Sequence, residues 1–181
     1  MKQLYLLRHA KSDWGRLTRS DHDRPLNERG HLAAQKMADH LVRIWQKAGA
    51  ITEAGPIYIY CSTATRAQET MAPVLRACDK AGIQYHVTSD EKLYLACAET
   101  LISRIQALPD TIQRCLFIGH NPGFEDLALC LTENRDYPAY IEIDYKYVTA
   151  GLCQFENHHG TWQATDEKSL KLTGYTKPKT L

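Results

Sequence analysis

The sequence lacks any long apolar run, any paired-cysteine motif and any large excess of charge of one sign. No stretch of the 181 residues approaches the roughly 18 apolar residues that a membrane-spanning helix needs. The six cysteines form no Cys-x-x-Cys pair and no zinc-type spacing, which favours buried, reduced thiols over disulfides. A formal net charge of +1 gives no reason to expect a nucleic-acid or membrane partner. Because no signal-peptide core follows Lys2, we expect a cytoplasmic protein. We expect neither a nucleic acid nor a membrane as its partner.

The motifs of metal- and nucleotide-dependent phosphate chemistry are also missing. There is no Walker-type glycine loop, no acidic metal cluster and no His-x-His or His-Glu-x-x-His spacing. A three-histidine metal site built from His9, His22 and His120 therefore has no supporting pattern. We expect neither a metal nor another cofactor.

Apolar runs alternate with helical patterns over the first 132 residues. Three of the four predicted strands are continuous apolar runs, which is typical of parallel strands covered on both faces. The predicted strands cover 4–7, 57–61, 84–88 and 115–119. The predicted helices cover 27–48, 63–79, 98–107 and 123–132, with Asn27 and Ser62 as candidate N-caps and Gly49 as a candidate stop.

Beyond residue 138 the pattern changes to alternation, which predicts antiparallel strands over 140–148, 152–157 and 161–165. Strands that alternate with helices favour an α/β fold, a three-layer α/β/α sandwich around a mainly parallel central sheet. With no repeat or linker in view, residues 1–181 are expected to form a single domain.

Four basic residues follow predicted strands at the same sheet edge. Arg8 and His9 end the first strand, His120 ends the fourth, and Arg66 lies early in the helix after the second. Ligands collect at the carboxyl ends of parallel strands, so these side chains are expected to meet. A neutral imidazole can attack phosphorus, and guanidinium groups bind phosphate oxygens. A second, cationic imidazole could stabilise the transition state, so the sequence predicts metal-independent phosphoryl transfer.

Four ordered segments carry a resemblance to a known family. "LLRHAKSDW", "DRPLNERG", "CSTATRAQET" and "IGHNPGFEDLA" resemble the histidine phosphatase superfamily, specifically its small SixA-like phosphohistidine phosphatases, from about residue 3 to 131. The resemblance implies a phosphoglycerate mutase-like fold. It also implies that His9 is the nucleophile and that Arg8, Arg66 and His120 form the phosphate pocket.

Three positions depart from the family pattern. Ala10 replaces the usual glycine, Gly15 replaces a frequent asparagine, and Leu95 stands where the mutase-like branch carries a glutamate that donates a proton. Alkoxide leaving groups need such a donor, whereas a phosphorylated imidazole has a much less basic leaving nitrogen. Leu95 therefore argues against mutase activity and favours a phosphohistidine substrate.

Other loop residues are candidates for secondary roles. Asp21, Asp23 and Glu91 are candidate proton donors, although both aspartates could instead simply anchor their loop. Ser12 could donate a hydrogen bond to phosphate, and Arg24 could reach it from the rim.

The predicted function is a phosphatase that dephosphorylates phosphohistidine on a protein, with histidine phosphotransfer domains as the partner class that the resemblance implies. One alternative is a phosphatase for a small phosphorylated metabolite, and another is a phosphoprotein-binding module without catalysis. The intact nucleophile argues against the last. The sequence leaves the oligomeric state open.

Overall fold

The computed structural model describes residues 1–15, 20–47 and 55–181. Six strands and five helices lie in these ranges. The strands are β1 (Lys2–Arg8), β2 (Ile57–Ser62), β3 (Tyr85–Asp90), β4 (Arg114–Gly119), β5 (Leu152–Asn157) and β6 (Lys171–Thr176). The helices are α1 (Glu28–Lys47), α2 (Thr65–Ala81), α3 (Ala98–Gln106), α4 (Gly123–Leu131) and α5 (Pro138–Tyr145).

The strands form one six-stranded sheet in the order β3-β2-β4-β1-β5-β6. The first four strands in this order pair in parallel, and β5 and β6 add on antiparallel beside β1. All six residues of β4 are buried, as its continuous apolar run predicted. The mainly parallel sheet is thereby confirmed.

Helices cover both faces of the sheet. On one face, α1 and α2 pack against the sheet in a core that includes Met37, Leu41 and Val74. On the other face, α3, α4 and α5 pack in a second core that includes Leu101 and Phe124. The two cores confirm the predicted three-layer α/β/α sandwich. No helix within the described ranges is both long and apolar enough to cross a membrane.

Helix α1 is fixed against the segment that follows β1. The side chain of Asn27 accepts a hydrogen bond from Gly30 N at 2.9 Å, which confirms the predicted N-cap. A Cβ on Gly30 would lie 2.1 Å from the carbonyl oxygen of Lys11, so only glycine permits this approach. The predicted stop at Gly49 lies outside the described residues.

The predicted cap of α2 is wrong. The helix begins at Thr65 and its N-cap residue is Ala64, which makes no side-chain capping bond. Ser62 lies two residues earlier because it is still the last residue of β2. Its hydroxyl accepts a hydrogen bond from Ala64 N at 3.3 Å and also lies 2.8 Å from Nε2 of His120.

Two predicted C-terminal strands are also wrong. Residues 138–145 form helix α5, in which Ile143 is buried but Ile141 and Tyr145 are exposed, so the alternation does not follow burial. Pro138 at the start favours a helix because its fixed φ is already helical. Residues 161–165 form a loop in which buried Trp162 donates to the carbonyl of Ile112 at 2.9 Å. Strand β5 is confirmed, and it pairs with β1 and with β6, a strand that was not predicted.

All six cysteines are free. Four of them are buried as predicted, whereas Cys97 is exposed and Cys130 is half-buried. The prediction of buried thiols is therefore wrong for these two. Cys97 is exposed because it directly precedes α3, where its Sγ lies 3.3 Å from the hydroxyl of Thr100.

Candidate active site

Two arginines and two histidines meet in one cavity of about 700 Å³ at the carboxyl edge of the sheet. Arg8 ends β1 and His9 follows it, His120 follows β4, and Arg66 is the second residue of α2. The imidazole centroids of His9 and His120 lie 5.0 Å apart. Three distant segments thus converge as the sequence predicted, because their parallel strands end at the same edge.

One nitrogen of His9 is available for chemistry. Its Nδ1 lies 2.7 Å from the carbonyl oxygen of Ala10. A carbonyl can only accept a hydrogen bond, so Nδ1 carries the proton and Nε2 keeps its lone pair. Nε2 lies 3.4 Å from Nε of Arg66. The backbone thereby holds His9 in the tautomer that a nitrogen nucleophile requires.

Burial and positive charge keep both imidazoles neutral. Burial lowers the pKa of His9 to about 3, and the charges of Arg66 and Arg8 act in the same direction. Burial also lowers the pKa of His120 to about 3, with smaller contributions from His9 and Arg66. His120 is therefore neutral, contrary to the expectation of a cationic imidazole, because the charge of Asp21, which raises its pKa, does not offset burial.

His120 retains a polar atom for a ligand. Its Nε2 lies 2.8 Å from the hydroxyl of Ser62, while its Nδ1 is buried without a hydrogen-bond partner among the described residues. Buried polar atoms without partners are rare in folded proteins and often mark a ligand site. The ring is held in place by Ser62 and by an edge-on contact with Tyr94 at 5.4 Å.

Asp21 holds Arg66 in position. The guanidinium of Arg66 donates to the backbone oxygen of Asp21 at 2.5 Å and to its carboxylate at 3.0 Å. The hydroxyl of Tyr94 donates to the same carboxylate at 2.7 Å. The Tyr94 hydrogen bond and the charge of Arg66 lower the pKa of Asp21 to about 2. The carboxylate is therefore ionised at neutral pH, which favours the anchoring interpretation over a proton donor.

The other two candidate proton donors do not reach the cavity. Asp23 and Glu91 are exposed, and neither lines the cavity formed by the described residues. Glu91 lies in a one-turn 3₁₀ helix that follows β3, and Asp23 accepts a hydrogen bond from the hydroxyl of Ser20 at 2.8 Å. The strand ends bring residues to the edge, but the loops turn these two carboxylates outward.

Ser12 and Arg24, for which a contact with phosphate is predicted, both line the cavity. Ser12 is buried, and its backbone oxygen accepts a hydrogen bond from the side chain of Asn27 at 3.3 Å. Arg24 donates to the carboxylate of Asp21 at 2.6 Å, and its guanidinium lies 3.5 Å from the ring centroid of Trp14.

Sequence reasoning missed the residues that support Arg8. The guanidinium of Arg8 donates to the carbonyl oxygen of Tyr147, whose hydroxyl donates to the carbonyl of Leu6 at 2.6 Å. Glu125 accepts hydrogen bonds from Asn121 at 2.7 Å and from Tyr147 N at 3.3 Å. Tyr147 falls within the predicted strand 140–148, whereas in the structure it lies in the irregular segment after α5. No local sequence pattern indicates which residues contact Arg8 and Arg66.

Within the described ranges, no group of three or more histidine, cysteine, aspartate or glutamate side chains is placed to hold a metal ion. Fixed guanidinium groups beside a neutral imidazole can bind a phosphoryl group and offer it a nitrogen nucleophile. The fold and the cavity thus indicate an α/β protein that acts on phosphate groups.

Comparison with known proteins identifies the family. The model of the histidine phosphatase superfamily (branch 1) matches residues 4–94. An uncharacterised protein of Mycobacterium leprae is 32% identical over 179 residues, which cover 96% of this chain and all of that protein. The structure of the proposed phosphohistidine phosphatase SixA of Agrobacterium tumefaciens is similar with a TM-score of 0.74 at 27% identity, covering 98% of both chains. The corresponding protein of Nakamurella gives a TM-score of 0.74 at 25% identity, over 98% of this chain and 96% of that one.

The chain belongs to the histidine phosphatase superfamily. Within it the chain is SixA-like, and it has the phosphoglycerate mutase-like fold. The family match and the likeness to the SixA proteins together show a phosphatase, a hydrolase that acts on a phosphorylated substrate.

Proposed function

We propose that residues 1–181 form one domain that dephosphorylates phosphohistidine on a protein through a covalent phosphohistidine at His9. The observation that carries the proposal is the state of His9: its Nε2 keeps a lone pair beside Arg66, and its pKa is lowered to about 3. A nucleophile in this state is ready at neutral pH. The names of the Agrobacterium and Nakamurella proteins support the same substrate class.

The reaction proceeds in two displacements. In the first, Nε2 of His9 forms a bond to phosphorus while the phosphorus–nitrogen bond of the substrate breaks. A substrate imidazole that is protonated on its other nitrogen leaves as neutral imidazole, so the enzyme need not supply a proton. In the second, water attacks the phosphoryl group on His9, which releases inorganic phosphate and restores neutral His9 once the water proton has passed to phosphate or solvent.

The surrounding groups stabilise the transferring phosphoryl group. Arg8 and Arg66 bind its oxygens, since guanidinium groups stay charged at any physiological pH. The phosphate anion raises the pKa of His120, so that the ring takes up a proton from solvent and stabilises the transition state as a cation. Ser12 and Arg24 add contacts from the cavity wall.

Among the described residues, the one carboxylate that lines the cavity is ionised, which supports phosphohistidine over alkyl esters. Leu95 lines the cavity and is 54% exposed, so an apolar side chain occupies the place where a proton donor would be needed. Asp21 is ionised and engaged with Arg66. A histidine phosphotransfer domain is the partner class that fits this site best.

The decisive experiment compares two substrate types without added metal. Wild-type protein, His9→Ala and the control His158→Ala, which changes an exposed histidine in the turn after β5, are tested on a histidine-phosphorylated transfer domain and on phosphomonoesters including p-nitrophenyl phosphate. We expect the transfer domain to be preferred, and we expect turnover and covalent labelling to disappear only in His9→Ala.

Other outcomes assign the function differently. Full activity in His9→Ala would rule out the covalent mechanism. Preference for a small monoester would keep the mechanism and replace the substrate by a phosphorylated metabolite. Binding without turnover or labelling would make the domain a phosphoprotein-binding module.

A further inference from the structure

Positive charge is concentrated at the cavity. Among the described residues, seven basic side chains and one carboxylate, that of Asp21, line it. The whole chain carries a net charge of only +1, so the rest of the molecule is net negative. Clustered charge of one sign around a cleft attracts ligands of the opposite sign and raises their rate of association.

Four of these basic residues are not needed to bind one phosphoryl group. Lys11, Arg29, Lys146 and Lys179 are exposed at the mouth, and none of their side chains makes an ion pair or hydrogen bond with a described residue. They come from four separate segments: the stretch after β1, the first turn of α1, the end of α5 and the C-terminal 3₁₀ turn at Pro178–Thr180. We call these four residues the outer ring.

Two exposed apolar side chains share the mouth with the outer ring. Trp14 is 75% exposed and Leu95 is 54% exposed, and both line the cavity. The guanidinium of Arg24 lies 3.5 Å from the centroid of the Trp14 ring. Exposed tryptophan beside arginine is typical of the centre of a protein interface, where such side chains supply much of the binding energy.

We propose that the outer ring, with Trp14 at its edge, docks an acidic protein surface that surrounds the phosphohistidine of the substrate. The inference rests on the proposed function and names the chemistry of its partner. A small phosphate ester would meet Arg8 and Arg66 inside the cavity and leave the outer ring unpaired. Cations from four segments around an open mouth match carboxylates spread over a protein surface, and such rim charges mainly accelerate association.

The test removes charge from the outer ring without touching the cavity floor. The triple variant Lys11→Gln, Lys146→Gln, Lys179→Gln is compared with the matched control Lys36→Gln, Lys80→Gln, Lys171→Gln. The control removes the same charge from exposed lysines that also lack ion pairs among the described residues and lie away from the mouth.

Three phosphohistidine probes separate docking from chemistry: a peptide with acidic flanks, a peptide of equal length with serine flanks, and free phosphohistidine. On the acidic peptide, we expect kcat/KM of the triple variant to be lower than that of wild type by about tenfold or more. We also expect kcat/KM of the variant on this peptide to lose its dependence on salt concentration. On the other two probes we expect less than about a twofold change, and the control variant should match wild type on all three.

Peptide binding to His9→Ala protein, read from Trp14 fluorescence, tests docking independently of turnover. We expect the acidic peptide to bind more tightly than the serine peptide, and we expect the triple variant to abolish this difference. That result would support the docking surface even if wild type hydrolysed no phosphohistidine probe. A lack of hydrolysis would overturn only the proposed function. An equal loss on all three probes, or no loss on any of them, would overturn the docking proposal.

Discussion

Nε of Arg66 lies 3.4 Å from Nε2 of His9, although the two residues are 57 positions apart in the sequence. This contact places a permanent positive charge beside the one nitrogen of His9 that keeps a lone pair. The same guanidinium donates to the backbone oxygen and to the carboxylate of Asp21. One side chain therefore links the protonation state of His9 to the loop that carries Asp21.

The lowered pKa values of His9 and His120 predict a stability that depends on pH. Both are about 3 in the folded protein, whereas an unfolded histidine titrates near 6.5. Below about pH 6.5 the unfolded chain binds protons that the folded protein excludes. The free energy of unfolding should therefore fall between about pH 6.5 and 3, by on the order of 1–2 kcal/mol per histidine at pH 5.

Urea unfolding at pH 7, 6 and 5 measures this effect. We expect His120→Gln to show a smaller loss of stability on acidification than wild type, and we expect the exposed-site control His158→Gln to follow wild type. Equal pH dependence in wild type and His120→Gln would show that His120 is not buried as a neutral group.

Asp21→Asn tests whether this side chain moves a proton. The substitution keeps the size of the side chain but removes the charge that holds Arg66 and Arg24. Because the carboxylate is ionised and the leaving imidazole needs no acid, we expect kcat on phosphohistidine to fall by less than about tenfold. KM should rise, since Arg66 loses its anchor. A fall in kcat of about 10²- to 10⁴-fold, typical of a lost general acid or base, would assign proton transfer to Asp21 instead.

Leu95→Glu is predicted to broaden the substrate range. Leu95 is exposed at the cavity, and its backbone already adopts a φ of 50°, so a glutamate there would be no more strained than the leucine. A protonated glutamate could supply the acid that alkoxide leaving groups need. We expect hydrolysis of glycerol phosphate to rise by about tenfold or more, while hydrolysis of p-nitrophenyl phosphate, whose phenolate is stable, changes little. Leu95→Gln is the control, and an equal gain there would exclude acid catalysis.

Gly30→Ala should destabilise the fold although alanine is the better helix former. A Cβ at this position would lie 2.1 Å from the carbonyl oxygen of Lys11, so α1 must move away from the segment after His9. We expect a loss of about 1–3 kcal/mol in the free energy of unfolding, measured by urea denaturation. Lys36→Ala on the exposed face of α1 should stay within about 0.5 kcal/mol of wild type. Unchanged stability in Gly30→Ala would contradict the close approach.

Local pattern was sufficient to predict the four parallel strands and the four basic residues at their edge, whereas β6 was not predicted. Continuous apolar runs fix β1, β2 and β4 as buried parallel strands, because only strands covered on both faces need such runs. Parallel strands end at one edge, so Arg8, His9 and His120 had to lie near one another whatever the details of the loops. The N-cap at Asn27 was equally readable, since it depends on neighbours within three residues.

Local pattern failed where distant contacts decide the conformation. The alternation in 140–148 indicated a strand, but burial of one side of α5 against the second core, with Pro138 at its start, produces a helix. Trp162 looked like a strand residue because it is apolar, whereas a loop carries it into that core.

The amino-acid sequence by itself determined the strands and helices up to Leu131 and the reactive side chains that follow them, because secondary-structure periodicity and strand direction are local properties. Only the tertiary structure decided that Asp21 anchors Arg66 and that Asp23 and Glu91 point away from the cavity. It also decided that Lys146 and Lys179 join Lys11 at the mouth. These outcomes depend on how loops cross the sheet edge, and loop paths follow from long-range packing rather than from neighbouring residues.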